Sequence, residues 1–122
     1  MTISNTTNTE KTLQAFIQST GTGIRLAGKN VFVHAYAVVQ VRDGSSQLVE
    51  GATVVGNWSD AVSGMTTGVP DSSGRVTLTS PEAKAPKTKN TGLLFILSVV
   101  DVQLTGYTYG GGEPAAEIQW WP

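Results

Sequence analysis

The stretch Glu50-Gly-Ala-Thr-Val-Val-Gly-Asn-Trp-Ser59, followed after a Gly/Ser/Thr-rich connector by Pro70-Asp-Ser-Ser-Gly-Arg-Val-Thr-Leu78, decides the predicted fold. Alternate side chains of a strand point to opposite faces, and the first segment alternates in this way. Its inward face is predicted to carry Ala52, Val54, Gly56 and Trp58. In the second segment, Asp71 and Gly74 supply an acceptor side chain and a residue suited to positive φ, which predicts a tight turn before a strand.

Two longer strands are predicted on either side of this stretch. Asn30 to Arg42 alternates strictly, and its predicted inward face carries Val31, Val33, Ala35, Ala37, Val39 and Val41. Asp43-Gly44-Ser45-Ser46 follows as a hairpin turn, with Gly44 suited to the left-handed position. Leu93 to Leu104 also alternates until Val99-Val100 breaks the phase, which predicts a β-bulge.

The beginning of the chain is more ambiguous. Thr12 to Gln18 fits a strand with Leu13 and Ala15 on one face, and it also fits a short helical turn; the alternation favours the strand. Gly21-Thr22-Gly23 is expected to interrupt it and leave Ile24 to Leu26 as a short edge piece. Ser80 to Asn90 reads as an exposed lysine-rich loop, and Ala116, Ile118 and Trp120 predict a closing strand.

These segments predict one all-β domain, an immunoglobulin-like antiparallel β-sandwich of about seven to nine strands. The chain has 122 residues, 14 of them Gly, and its charged content is only 14%, a profile that suits such a module better than a helical bundle. Residues 1–10 are rich in Asn and Thr and are predicted to be a polar linker. The domain is then expected to span residues 11–122.

Charge and composition narrow the range of partners. The formal net charge is -1, so no global positive field exists to hold nucleic acid or an anionic membrane. The longest apolar run, Leu93 to Val100, is far shorter than the ~20 residues of a spanning helix. The absence of cysteine removes disulfides and thiolate chemistry but does not fix the compartment. We therefore expect neither a nucleic-acid nor a membrane partner.

Four segments together resemble a known family. They are Val38 to Asp43, Leu48 to Ser59, Asp71 to Thr77 and Val100 to Tyr109. In this order they are similar to the immunoglobulin-like accessory domains appended to secreted bacterial hydrolases, subtilisin-type proteases among them. The resemblance implies a non-catalytic accessory module, secreted or at the bacterial cell surface, that contacts a neighbouring domain or an extracellular substrate. The aromatic ending Gln119-Trp120-Trp121-Pro122 departs from the family pattern.

The sequence contains few residues of the types that catalysis or metal binding requires. His34 is the only histidine, so a hydrolase would have to use it, with Asp101 as its partner. Its position in the middle of a strand, on the predicted outer face, favours a structural or surface role. Asp43, Asp60 and Asp71 could offer oxygen ligands to calcium, yet they lack the usual Asp-x-Asp spacing. We predict no catalytic residues, no metal site and no cofactor.

The aromatic side chains offer the alternative of carbohydrate binding. Neighbouring residues of a strand point to opposite faces, so Trp120 and Trp121 cannot both enter the core. We take Trp121, Tyr107 and Tyr109 as the candidate ligand-binding residues. The competing interpretation places Trp120 in the core beside Trp58 and lets Trp121 cover a rim or a neighbouring domain. Gly110 to Gly112 reads as a flexible connection.

Overall fold

A computed structural model describes residues 11–88 and 90–122, and all regular structure in these ranges is β-strand. The predicted linker, residues 1–10, lies outside the described residues. The strands are β1 (Thr12–Ala27), β2 (Asn30–Asp43), β3 (Thr53–Asp60), β4 (Gly64–Gly68), β5 (Arg75–Thr79), β6 (Ala83–Lys84), β7 (Leu93–Gln103), β8 (Thr108–Tyr109) and β9 (Ala115–Trp120).

The strands form two sheets packed as a sandwich. The first sheet has the order β5-β2-β1-β8, with β6 also paired to β2, and the second has the order β4-β3-β7-β9. All pairs are antiparallel except β1 with β8, which is parallel. Pairing β2 with β5 in one sheet and β3 with β7 in the other is the arrangement of immunoglobulin-like sandwiches. The predicted fold class is confirmed.

The core lies between the sheets and is built from the rows that the alternation predicts. On β2, Val33, Ala35, Ala37, Val39 and Val41 are fully buried. Val54 and Trp58 on β3 are buried, as is Ala52 just before it, and Trp58 is the largest buried side chain. The prediction of Trp58 as the core anchor is confirmed. Its indole Nε1 donates a hydrogen bond of 3.0 Å to Thr66 Oγ1 on β4.

Gly56 lets the two sheets approach each other beside this anchor. A Cβ atom at Gly56 would lie 2.8 Å from Leu78 Cδ1 and 2.8 Å from Leu97 Cδ1. Leu78 belongs to β5 in the first sheet and Leu97 to β7 in the second. Because protein interiors are packed at crystal-like density, any side chain at position 56 would force these leucines apart.

The central pairing of each sheet, β1 with β2 and β3 with β7, contains one bulge. Between β3 and β7, Val55 pairs with Asp101 and Gly56 with Val99, so Val100 is the extra residue. The bulge predicted at Val99-Val100 is confirmed. A second irregularity falls between Ile17 and Ser19 on β1. The predicted interruption at residues 21–23 is wrong, because β1 continues past this bulge to Ala27.

The turns follow the predicted chemistry with one exception. Asp71 Oδ1 accepts hydrogen bonds from Ser73 N and Arg75 N, and Gly74 has φ +73 as expected. Asp43 Oδ1 caps its own turn in the same way. There, however, Ser46 takes the left-handed conformation with φ 64, so the assignment of that position to Gly44 is wrong.

Among the strands that were missed are β4 and β6, which lie in segments predicted to be irregular. The connector after Trp58 contains β4, which pairs with β3 from Val54 to Trp58. The lysine-rich loop contains β6, whose Lys84 and Ala83 pair with Phe32 and Val33. Neither segment alternates clearly in sequence, so their strand conformation comes from the neighbouring strand that each one meets.

The Trp58 anchor makes a quantitative prediction for stability. We expect Trp58→Ala to lower the free energy of unfolding by about 3–5 kcal/mol, because it leaves a large cavity. Thr66→Val should cost about 1–3 kcal/mol, because it leaves the indole N–H without a partner. Urea unfolding followed by far-UV circular dichroism measures both.

Thr67→Val is the matched control, since Thr67 is exposed. We expect it to change stability by no more than about 0.5 kcal/mol. In a Trp58→Phe background, the cost of Thr66→Val should largely disappear. An undiminished cost in that background would contradict the assigned hydrogen bond.

Candidate functional surface

The three aromatic residues predicted to bind a ligand do not lie together. Trp120 pairs with Leu93 at the start of β7, and Trp121 follows it with 62% of its surface exposed. Tyr107 N donates to Leu104 O just beyond the other end of β7. β7 has 11 residues, so at ~3.3 Å per residue the tryptophan and the tyrosines are about 35 Å apart. Any ligand contact by Trp121 is therefore separate from one by the tyrosines.

Tyr107 and Tyr109 pack at the edge of the core. Both are half-buried against it, and the Lys11 ammonium lies 5.4 Å from the centroid of the Tyr107 ring. The Tyr109 hydroxyl is buried and has no hydrogen-bond partner among the described residues. Burial raises the pKa of this phenol, and the nearby Glu113 and Asp101 carboxylates raise it further. The two tyrosines are thus partly covered by the rest of the domain.

The residues considered for catalysis and metal binding are also kept apart. His34 lies on the outer face of the first sheet, whereas Asp101 lies on β7 in the second sheet. Asp101 accepts hydrogen bonds from Val102 N and Gln103 Nε2. Within residues 11–88 and 90–122, no three His, Cys, Asp or Glu side chains gather as metal ligands, and no cavity is found.

A different surface, on the outer face of the first sheet, brings aromatic side chains together. We call Phe32, His34 and Tyr36 the aromatic row; they follow one another at alternate positions on β2. Their register partners on β1 are Arg25, Gly23 and Gly21. All three members of the row are half-exposed.

Two rings of the aromatic row lie across glycines of β1. A Cβ atom at Gly23 would lie 2.6 Å from His34 Cε1, and one at Gly21 would collide with the Tyr36 ring. Since a Cβ atom projects out of the sheet, each ring must cover its glycine. Aromatic side chains stabilise glycine-containing strands in this way. Both rings therefore lie over the backbone of β1.

An ion pair closes one end of the aromatic row. Arg25 donates to both Glu82 carboxylate oxygens, with the shortest contact at 2.9 Å, and its guanidinium lies 4.6 Å from the centroid of the Phe32 ring. Hydrogen bonding with Glu82 raises the pKa of Arg25, and the same bonds lower the pKa of Glu82. Both groups remain charged at neutral pH and are open to solvent.

A network of amides and guanidinium groups closes the other end. Gln40 Oε1 accepts hydrogen bonds of 2.8 Å from Gln18 Nε2 and 3.0 Å from Arg42 Nε. Gln18 Oε1 accepts one of 2.8 Å from Arg75 Nε. Gln40 is therefore only 3% exposed although it points away from the core.

Sequence reasoning placed His34 and its neighbours on an outer face but did not identify a surface there. The signal was present in the glycines at positions 21 and 23, which were interpreted as an interruption. A single sequence gives no register between two strands, so it does not show which ring meets which glycine.

Comparison of the sequence with protein-family models, with curated proteins and with solved structures finds no match in any of the three. The described part of the chain also contains no helix long and apolar enough to cross a membrane. The class that the fold itself defines is an all-β sandwich. A role for the domain is therefore inferred from its exposed side chains.

The seating of the rings on glycine predicts the effect of Gly21→Ala. The new methyl group must displace the end of the Tyr36 side chain, which is free to rotate away, while alanine also reduces the entropy of the unfolded chain. We expect a change in the free energy of unfolding of no more than about 1 kcal/mol, with loss of the nuclear Overhauser effects between the Tyr36 ring and residue 21. Gly110→Ala is the control, because a Cβ atom there has nothing within 4 Å. If the Tyr36 ring keeps its contacts with residue 21 in Gly21→Ala, the position of this ring over Gly21 is contradicted.

Proposed function

We propose that this domain is a non-catalytic accessory module of an exported bacterial protein. In this proposal the aromatic row contacts a neighbouring domain or an extracellular substrate. The exported bacterial context rests on the resemblance of the four sequence segments. The contact surface rests on one observation, the position of the His34 and Tyr36 rings over Gly23 and Gly21.

The physical support for this surface is its preorganisation. A flexible side chain loses rotamer entropy when a partner immobilises it, and this loss weakens binding. The Tyr36 and His34 rings are already held against the sheet, so a partner that covers them pays little of this entropy. Half-exposed aromatic rings also bury much apolar area on contact, which is why Tyr is frequent at binding hot spots.

His34 provides a direct test because it is the only histidine in the sequence. Its imidazole can be labelled with diethyl pyrocarbonate and quantified by mass spectrometry. We expect labelling to be severalfold slower in the whole exported protein, or with its substrate bound, than in the isolated domain. Lys29, in the turn between β1 and β2, is the internal control and should label equally in both. Equal labelling of His34 in every state would contradict the proposal.

Carbohydrate binding is the second candidate, favoured by the arrangement of flat rings beside a polar pair. Sugar rings stack on flat aromatic faces, and the Arg25 and Glu82 side chains could hydrogen-bond hydroxyl groups at the end of the row. The ligand would then be an extended polysaccharide lying along β2. This candidate uses the aromatic row in place of Trp121, Tyr107 and Tyr109.

Retention on insoluble cellulose, chitin and xylan tests the carbohydrate candidate. We expect Tyr36→Val to reduce retention about tenfold, since an aromatic contact contributes roughly 0.5–1.5 kcal/mol beyond its buried area. Trp121→Ala, on a separate surface, should leave retention unchanged. If only Trp121→Ala reduces retention, the ligand site lies at the end of β9. If no polysaccharide retains the wild-type domain, this candidate is excluded.

A further inference from the structure

The outer edge of β1 is open along most of its length in the described part of the chain. β1 pairs with β2 from Leu13 to Ala27, but its other side pairs with β8 only at Thr12 and Leu13. The glycine loop then runs beside it for a short distance, where a Cβ atom at Gly111 would lie 3.1 Å from Gln14 Cα. Beyond the bulge at Ile17/Ser19, Ser19 to Ala27 forms a regular edge. We call this segment the free edge.

The backbone groups that face outward on the free edge can be assigned from β2. Ser80 N donates to Ala35 O and Ala85 N donates to Val31 O, so odd-numbered residues of β2 bond away from β1. Even-numbered residues of β2 therefore bond to β1, and their partners beyond the bulge are Ser19, Gly21, Gly23 and Arg25. The residues between these partners direct their N–H and C=O groups outward: Thr20, Thr22, Ile24 and Leu26.

The same residues leave apolar side chains uncovered. Ile24 is 55% exposed and Leu26 is 70% exposed, although their register partners Val33 and Val31 belong to the row that faces the core. Natural sheets usually protect an edge with lysine, proline or a very short strand. Ser19 to Ala27 contains no lysine and no proline, and its one charge, Arg25, is paired with Glu82.

We propose that a second copy of this chain pairs antiparallel along the free edge, around a two-fold axis at Gly23. In this register Thr22 meets Ile24 of the second copy, and Thr20 meets Leu26 of the second copy. All four outward-facing residues then meet residues that also face outward, so their N–H and C=O groups are satisfied mutually. The pairing joins the two first sheets into one continuous sheet.

Charge and side-chain fit favour a second copy as the occupant. The two Arg25 residues would be four positions apart along the paired strands, about 13 Å at ~3.3 Å per residue. This exceeds the Debye length of about 8 Å at physiological salt, and each Arg25 already has its own carboxylate partner. The Thr20 and Thr22 methyl groups would cover Leu26 and Ile24 as cross-strand neighbours.

A nine-residue edge buries less area than the roughly 1,200–2,000 Å² of a stable interface, so the dimer should be weak. We expect a Kd on the order of 0.1 mM. Sedimentation velocity and amide exchange by nuclear magnetic resonance, from about 10 µM to about 1 mM, bracket this value. The amides of Thr20, Thr22, Ile24 and Leu26 should exchange severalfold more slowly at the high concentration. The amides of Gly21, Gly23 and Arg25, which face β2, should be protected at both.

Thr22→Pro is the sharpest variant, because it removes an outward N–H and leaves the bonds to β2 intact. It should abolish dimerisation, whereas Thr22→Val keeps the N–H and should preserve it. If Thr22→Pro does not fold, the alternating pattern of amide exchange in the wild-type chain still tests the proposed pairing. Exchange that does not depend on concentration, or protection that appears only with an added peptide of another sequence, would overturn pairing between copies.

Discussion

The close approach of the two sheets at Gly56 is the constraint on which the structure depends. Because position 56 has no side chain, Leu78 from the first sheet and Leu97 from the second meet there. Trp58 lies two positions further along the same face, so the largest buried side chain is next to this contact between the sheets. Burial of this kind scales with apolar area, and it gives a domain without disulfides its main source of stability.

Much of this fold could be predicted because the deciding pattern is local. A period of two is visible within β2, β3 and β7 without knowledge of any other strand, and even the bulge at Val100 shows as a break in phase. β4 was missed because Gly64 to Gly68 owes its conformation to pairing with β3. β1 was cut short because Gly21 and Gly23 are stabilised by rings that β2 supplies.

The candidate surface was less predictable than the fold for the same reason. That His34 and Tyr36 point outward follows from alternation. That they lie on glycines depends on the register between β1 and β2, which is a property of two strands together. The ligand residues inferred from their aromatic side chains, Trp121, Tyr107 and Tyr109, occupy two ends of the molecule, since sequence separation does not give distance across a sandwich. β1 therefore has two roles: it supports the rings of the aromatic row, and it forms the open edge of the first sheet.

The bulge at Val100 determines which residues in the second part of β7 face the core. Before it, odd-numbered residues such as Phe95 and Val99 face the core; after it, Val102 does, and Asp101 faces outward. Without the bulge, the same residues would alternate without interruption, and Asp101 would turn into the core in place of Val102. A buried, unpaired carboxylate is far more costly than a lost methyl group. The extra residue at Val100 therefore keeps the Asp101 carboxylate at the surface and Val102 in the core.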